Sequence, residues 1–305
     1  MIDITRAEFI NICNLDPGKN LSFSGFGLVD SDLHCCLTYA TSKGFFDQAN
    51  KNPNISIILA QKDIFKENEV INSKQVIPCS NPDFVFAQLF NNIVRKKYKI
   101  FPNRIDHNTN IHPSASIADN NIIIGPNVEI GPNAVILENT VLTSNIFVGS
   151  GSIIGSTGLS FIKYNDKIID LFHDGQLVVD DNVSIGTGSV LCKGISISGD
   201  TVIGSGCRID NLVHVSHSVQ IGKNTNIAAR SVICGSVKIG SNAWIGPGSI
   251  ISNKVFIGSD VYISIGSVVV EAVPDGAKVT GNFALPHELF LSNIKNIYSR
   301  RESSI

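Results

Sequence analysis

Through the middle and C-terminal parts of the chain, apolar residues recur at every sixth position. That spacing belongs neither to a helix at about 3.6 nor to a strand at about 2. Counting from Val179, the sixth positions are Ile185, Leu191, Ile197, Ile203, Ile209, Val215, Ile221, Ile227, Ile233, Ile239, Ile245, Ile251, Ile257, Ile263 and Val269. All are Ile, Val or Leu. The residue four places further on is small or β-branched, as at Val183, Ser189, Cys207 and Val213, and the residue right after each aliphatic is mostly Gly, Asp, Ser or Ala. An earlier run, Ile124, Ile130, Ile136, Leu142, Val148 and Ile154, keeps the same step and is preceded by Ile111 and Ile117. A six-residue unit of one short strand and one tight corner builds a solenoid. Three units close a triangular coil, and stacked coils share an aliphatic core. The expectation is a mainly β fold, with a parallel β-helix over residues 106–284.

Elsewhere the texture changes. Ile4–Leu15, Phe45–Ala49 and Pro82–Val94 read as helices, and Leu37–Ala40 and Ile55–Ala60 as strands. Residues 1–105 are therefore expected to form a small α/β domain, with a boundary near Phe101–His107. Residues 155–178 break the period with aromatic and charged residues, and a long irregular loop on a solenoid is expected to be functional or interfacial. The chain leaves the prism through Val273-Pro274-Asp275-Gly276. Residues 285–305 are expected to carry a short C-terminal helix, His287–Ser299, and a polar tail.

Composition narrows the partners. The chain has 305 residues, of which only 16% are charged, and a formal net charge of −2. This argues against a nucleic-acid partner, which would leave a basic footprint. No apolar run approaches the ~18 residues of a membrane span, and the N-terminus lacks the apolar core of a secretory signal, so a cytoplasmic location is expected. Cys13, Cys35, Cys36, Cys79, Cys192, Cys207 and Cys234 are odd in number and scattered, which implies neither a disulfide framework nor a metal knuckle.

A β-helix is a scaffold, so chemistry must come from its outward residues. At 18 residues per coil, His217 falls between Gly199 below and Gly235 above. An imidazole beside empty space is what a general base needs. Asp210, one hexad earlier, is expected to orient that ring through a neighbouring wall or subunit. His214 raises a metal reading, but three imidazoles must converge for one. His173 lies in the loop and His112 is distant, so no metal is expected. Tyr39 and Phe45 bracket the start of a helix and would either sandwich a base or pack in a core. Trp244 points outward and would line a ligand groove or a subunit contact. Arg230 and Lys238 are outward cations that would meet phosphate or remain solvated.

Taken in order, these segments resemble the UDP-3-O-(3-hydroxyacyl)glucosamine N-acyltransferases of lipid A synthesis, within the hexapeptide-repeat acyltransferases. LTYATSKGFFDQA and QVIPCSNPDFVFAQLF resemble that family's uridine-binding domain. Gly158-Leu159-Ser160-Phe161 resembles its Gly-Phe-Gly-Tyr insertion, and the stretch Ile209–Gly222 its active-site coil. The resemblance implies a left-handed β-helix, a homotrimer, His217 as base supported by Asp210, and uracil held by Tyr39 and Phe45. Substrate contacts are expected at Tyr39, Ser42, Phe45, Asn211 and His214. The acyl and thioester groove is expected at Gly199, Ala229, Arg230, Gly235 and Trp244. Two departures stand out. Ala229-Arg230 replaces the family's Gly-Gly, and the exit Val273–Asn282 is more similar to coenzyme A-dependent sugar acetyltransferases.

The function expected is N-acyl transfer from a phosphopantetheine thioester, on acyl carrier protein or coenzyme A, to the amine of a UDP-linked amino sugar. No permanently bound cofactor is expected. The alternatives are coenzyme A-dependent acetyl or short-acyl transfer to a polysaccharide sugar nucleotide, a non-catalytic sugar-nucleotide-binding β-helix, and a metal-dependent hydratase.

Overall fold

The computed structural model describes residues 1–64, 74–281, 284, 286–289 and 291–293. From Arg104 to Val279 the chain is a left-handed parallel β-helix with three flat walls of eight, nine and eight strands. The first wall begins at Arg104–Ile105 and ends at Phe256–Ile257. The second runs from Asn110–Ile111 to Lys278–Val279, and the third from Ser116–Ile117 to Val268–Val269. Most strands are two or three residues long, because each hexad spends its remaining residues turning a corner. Ile203 pairs with Ile221 and Ile221 with Ile239 in parallel register, so each inward aliphatic rests on the one a coil earlier. Ile136, Leu142, Val148, Ile185, Leu191 and Ile245 are fully buried in the resulting column.

The corners need a left-handed residue once per hexad. Asn127, Asn133, Asn139, Asn145, Asn182, Asn224 and Asn242 supply it, together with Gly151, Gly188, Gly206, Gly248 and Gly266. Asn tolerates this conformation better than other side chains, and stacked corners let the amides bond each other. Asn121 Nδ2 donates to Asn139 Oδ1 at 3.1 Å, and Asn127 Nδ2 to Asn145 Oδ1 at 3.1 Å. This Asn/Gly period is a second signature of the fold, three residues beyond each aliphatic.

One coil corrects the residue count. Val179 pairs with Ile203, Ile185 with Ile209 and Leu191 with Val215, where an 18-residue coil would pair Val179 with Ile197. An extra hexad, Lys193–Ser198, leaves the prism at this level. Because the insert is one whole period long, the aliphatic count passes through it unbroken. Ile197 is on no wall. Ile195, 1% exposed, belongs to the core of the N-terminal unit, and Ile197 packs against that core.

That N-terminal unit is a four-stranded parallel sheet in the order Gly25–Phe26, Cys36–Ala40, Ile55–Gln61, Gln75–Cys79. Helices α1 (Arg6–Cys13), α2 (Lys43–Lys51) and α3 (Pro82–Lys97) accompany it. Each starts on a side-chain cap, Thr5, Ser42 and Asn81, and α3 has Pro82 in its first turn, where no N–H is needed. Phe23, Phe26, Phe86 and Phe90 pack edge-on and stacked in its core. The 155–178 loop forms the antiparallel hairpin Phe161–Tyr164 with Lys167–Asp170, and Tyr164 lies against Phe84 of α3. At the C-terminus, residues 287–289 and 291–293 are helical. The rest of the expected helix, and Asn282, lie outside the described residues.

The two positions of the aliphatic series should respond differently. Ile203→Ala, in a fully buried wall, should lower unfolding stability by about 2–5 kcal/mol in a denaturant titration. Ile197→Ala should cost about 1 kcal/mol or less. Equal losses would mean that Ile197 is a wall residue.

Candidate functional site

His217 sits at the corner between the third-wall strand His214–Val215 and the first-wall strand Gln220–Ile221. The turn is made by Ser218 at φ 59. Its N–H donates to Thr201 Oγ1 at 2.8 Å and its Oγ accepts from the Ile195 N–H at 3.3 Å. The inserted hexad thus braces the corner from below. Above the ring lies Gly235, where a Cβ would come within 2.8 Å of His217 Nε2. Any side chain at 235 would collide with the imidazole.

The inserted hexad splits the floor: the third-wall register stacks Leu191 under Val215, 24 residues apart, and the first-wall register stacks Val202 under Gln220, 18 apart, with His217 between the two. Gly199 closes the inserted hexad by bridging Ile195, at φ +93 with open space beside it. Lys193 is 9% exposed, and burial lowers the pKa of its ammonium. Its Nζ donates to the Glu138 carbonyl at 3.5 Å.

The 155–178 loop closes the side. Gly158 packs so that a Cβ there would lie 2.7 Å from His217 Cδ2. His173 meets His217 edge to face, centroids 5.7 Å apart. Its Nε2 accepts the Gly158 N–H at 3.1 Å, and its Nδ1 lies 3.0 Å from the Leu171 carbonyl. One nitrogen accepting and the other facing a carbonyl define a neutral ring protonated on Nδ1. Burial pushes its pKa down to about 4. Burial lowers the pKa of His217 as well, and its Nδ1 is buried without a partner among the described residues. A neutral imidazole at neutral pH can accept a proton.

Asp210 does not orient this ring within the chain. It lies at a different corner, between the second and third walls. Its Oδ1 accepts the Asn211 N–H at 2.7 Å and its Oδ2 the Ala229 N–H at 3.2 Å. A carboxylate one hexad from a histidine is one corner away on a triangular prism, so sequence proximity misleads here. Asn211 also ties a corner, its Oδ1 accepting from the Thr187 N–H at 2.7 Å. His214 points outward between Val190 and Val232, half-buried, with its pKa lowered by burial.

Trp244 is 40% exposed and stacks on Tyr262 at 6.4 Å. It lines a shallow groove of about 320 Å³ on the second wall with Arg208, Asp210, Asn226 and Ala228. That groove does not include His217. Ala229 and Arg230 form the next corner, Arg230 exposed and left-handed at φ 60. In the N-terminal unit, Tyr39 leans on Phe86 at 4.8 Å, while Phe45 is 51% exposed with no ring against it among the described residues. Ser42 caps α2, its Oγ accepting the Phe45 N–H at 3.4 Å. The two rings do not stack on each other. Among the described residues, no group of three His, Cys, Asp or Glu is placed to hold a metal ion, and no helix is long and apolar enough to cross a membrane.

His173, Lys193 and Gly158 are the site residues that sequence reasoning missed. His173 and Gly158 lie in the segment that breaks the repeat. Lys193 opens the hexad that hides inside it.

The family model for bacterial transferase hexapeptide (six repeats) matches residues 200–235, the coil that carries His217. No curated protein matches the chain. Among solved structures, a UDP-N-acetylglucosamine acyltransferase from Campylobacter jejuni is similar at 23% identity and TM-score 0.51, over 60% of this chain and 72% of that one. An Arabidopsis UDP-N-acetylglucosamine acyltransferase is similar at 22% identity and TM-score 0.42, over 58% and 71%. One from Francisella novicida is similar at 30% identity and TM-score 0.37, over 58% and 66%. The Campylobacter likeness is one of fold, a shared hexapeptide β-helix.

Two outcomes test this geometry. With its folded pKa near 4 against 6.5 unfolded, His173 takes up a proton on unfolding anywhere between those values. Its contribution to stability is therefore complete above pH 6.5 and is lost as pH falls towards 4, on the order of 1 kcal/mol per pH unit. Denaturant midpoints across that window should flatten in His173→Gln. Separately, Asp210→Ala should cost about 1–2 kcal/mol through its two amide partners while leaving the His217 titration in place. A shifted His217 pKa would restore Asp210 as its support.

Proposed function

We propose that this chain is an acyltransferase that carries an acyl group from a phosphopantetheine thioester to the amine of a nucleotide-linked amino sugar, with His217 as the general base. The observation that carries the reading is the His217 imidazole itself. It is held neutral by burial and stands at a glycine-lined corner of a hexapeptide prism. The resemblance of residues 209–222 and of the N-terminal segments to the lipid A N-acyltransferases supports the same reading.

In this mechanism the amine nitrogen attacks the thioester carbonyl and the imidazole takes the amine proton. The tetrahedral intermediate then collapses, the C–S bond breaks, and the thiolate leaves with the proton from the imidazolium. Amide and thiol are the products, with no acyl-enzyme between. Corner amides such as that of Gly235, which makes no hydrogen bond among the described residues, would face the developing oxyanion. The N-terminal unit would hold the nucleotide, with the exposed face of Phe45 and the half-buried Tyr39 against the base. The assembly proposed is a homotrimer.

A second reading keeps the chemistry and changes the donor to a short acyl coenzyme A. The exposed Arg230 and the groove joining Arg208 to Trp244 favour it, because a cation beside an aromatic surface suits a nucleotide phosphate.

Thiol release separates these readings. Purified protein would receive either 3-hydroxyacyl carrier protein or acetyl coenzyme A, with UDP-sugars bearing a free amine or only hydroxyls as acceptors. Release that requires the amine is expected, and release with hydroxyl acceptors alone would make the enzyme an O-acyltransferase. His217→Ala should reduce turnover by about 100-fold or more with the oligomer intact. Turnover near wild type would remove His217 as the base.

A further inference from the structure

We propose that His173 is a positioning residue that clips Gly158 onto the His217 imidazole and so shields that imidazole from water. The proposal builds on the reading of His217 as the base. The Gly158 N–H donates to His173 Nε2 at 3.1 Å, while His173 Nδ1 is turned to the Leu171 carbonyl at 3.0 Å. Both nitrogens are thus committed to the loop backbone. The ring is 5% exposed, so it serves the loop rather than a ligand. Gly158 is drawn so close that a Cβ would stand 2.7 Å from His217 Cδ2 and 3.3 Å from its Cγ.

The clip is anchored in the N-terminal unit. Asn91 of α3 holds the loop backbone twice, Nδ2 donating to the Asp170 carbonyl at 2.8 Å and Oδ1 accepting from the Phe172 N–H at 2.8 Å. The Arg95 guanidinium lies 4.8 Å over the Phe172 ring, and Leu171 and Phe172 pack against that unit's core. A helix of the α/β unit therefore fixes the cover over a base that the prism carries.

The groups around the two rings define the sign of the effect. His217 faces His173 on the loop and the backbones of Gly158 and Gly235. His173 also feels Lys193, which opposes its protonation, and Asp170, which favours it; Lys193 feels Glu138 and Asp174. Because His173 is neutral near pH 6, losing its clip changes the hydration of His217 rather than the charge beside it. Admitted water would favour the imidazolium and raise the His217 pKa towards its ordinary value.

Two isosteric variants test this. His173→Gln keeps an acceptor where Nε2 stands. His173→Asn keeps only the contact at Nδ1. Carbon-labelled histidine resonances, followed by NMR from pH 4 to 8, report the His217 titration without any substrate, and amide exchange reports the Gly158 N–H. In His173→Asn the His217 midpoint should rise by about half a pH unit or more, and Gly158 exchange should quicken about 10-fold or more. His173→Gln should stay near wild type on both. Asn91→Ala, which loosens the anchor with His173 in place, should move both signals in the direction of His173→Asn. An unchanged His217 midpoint and Gly158 protection in His173→Asn and Asn91→Ala would overturn the proposal. Absence of thioester turnover in wild type would instead sink the acyl-transfer reading, and the titration would still report on the clip.

Discussion

Everything in the prism depends on parallel stacking at one fixed register. Each strand is too short to be stable alone, and each inward Ile, Val or Leu is buried only because another lies directly above and below it. The same stacking sets the corners. A residue must turn left-handed once per hexad, and at Asn121 and Asn127 the amide bonds the next corner in the column. Hydrophobic column and amide ladder reinforce one another, since either one slipping by a residue would break both.

The coil that carries His217 and the next departs from this economy. Leu212, Ser218, Arg230 and Ser236 take the left-handed corners without being Asn or Gly. Such a residue costs on the order of 1 kcal/mol at each corner. Below them the prism opens by a whole hexad, and the N-terminal unit grips that hexad through Ile195. Lys254 and Asp260 also take left-handed corners further along, so what sets the His217 level apart is the inserted hexad.

The electrostatics follow from the same arrangement. His217 and His173 are neutral because the loop and the stacked coils take them out of water, not because a carboxylate pairs with them. Asp210 has its oxygens on backbone amides of its own corner. Desolvation lowers the pKa of the His217 imidazole, and the loop that covers it comes from a different part of the chain than the wall that bears it.

The hexapeptide β-helix was legible in the residue pattern because burial on a stacked wall acts on one position in six, and fifteen of the sixteen aliphatics from Val179 to Val269 are such positions, which leaves no other period. The α/β character of residues 1–105 was legible from strand and helix segments, although the edge strands Gly25–Phe26 and Gln75–Cys79 were not, being short and weakly patterned. Gly235 above His217 followed from simple coil arithmetic. The inserted hexad at that level was not legible, because an insertion of one full period opens the stack without disturbing the count. Nor could periodicity place His173 or Gly158, which sit in the loop where the period stops. Sequence by itself determined which residues face inward and how the coils repeat, since that is a local choice made hexad by hexad. Only the tertiary structure decided what meets His217, because loop, insert and N-terminal helix reach that corner through contacts distant along the chain.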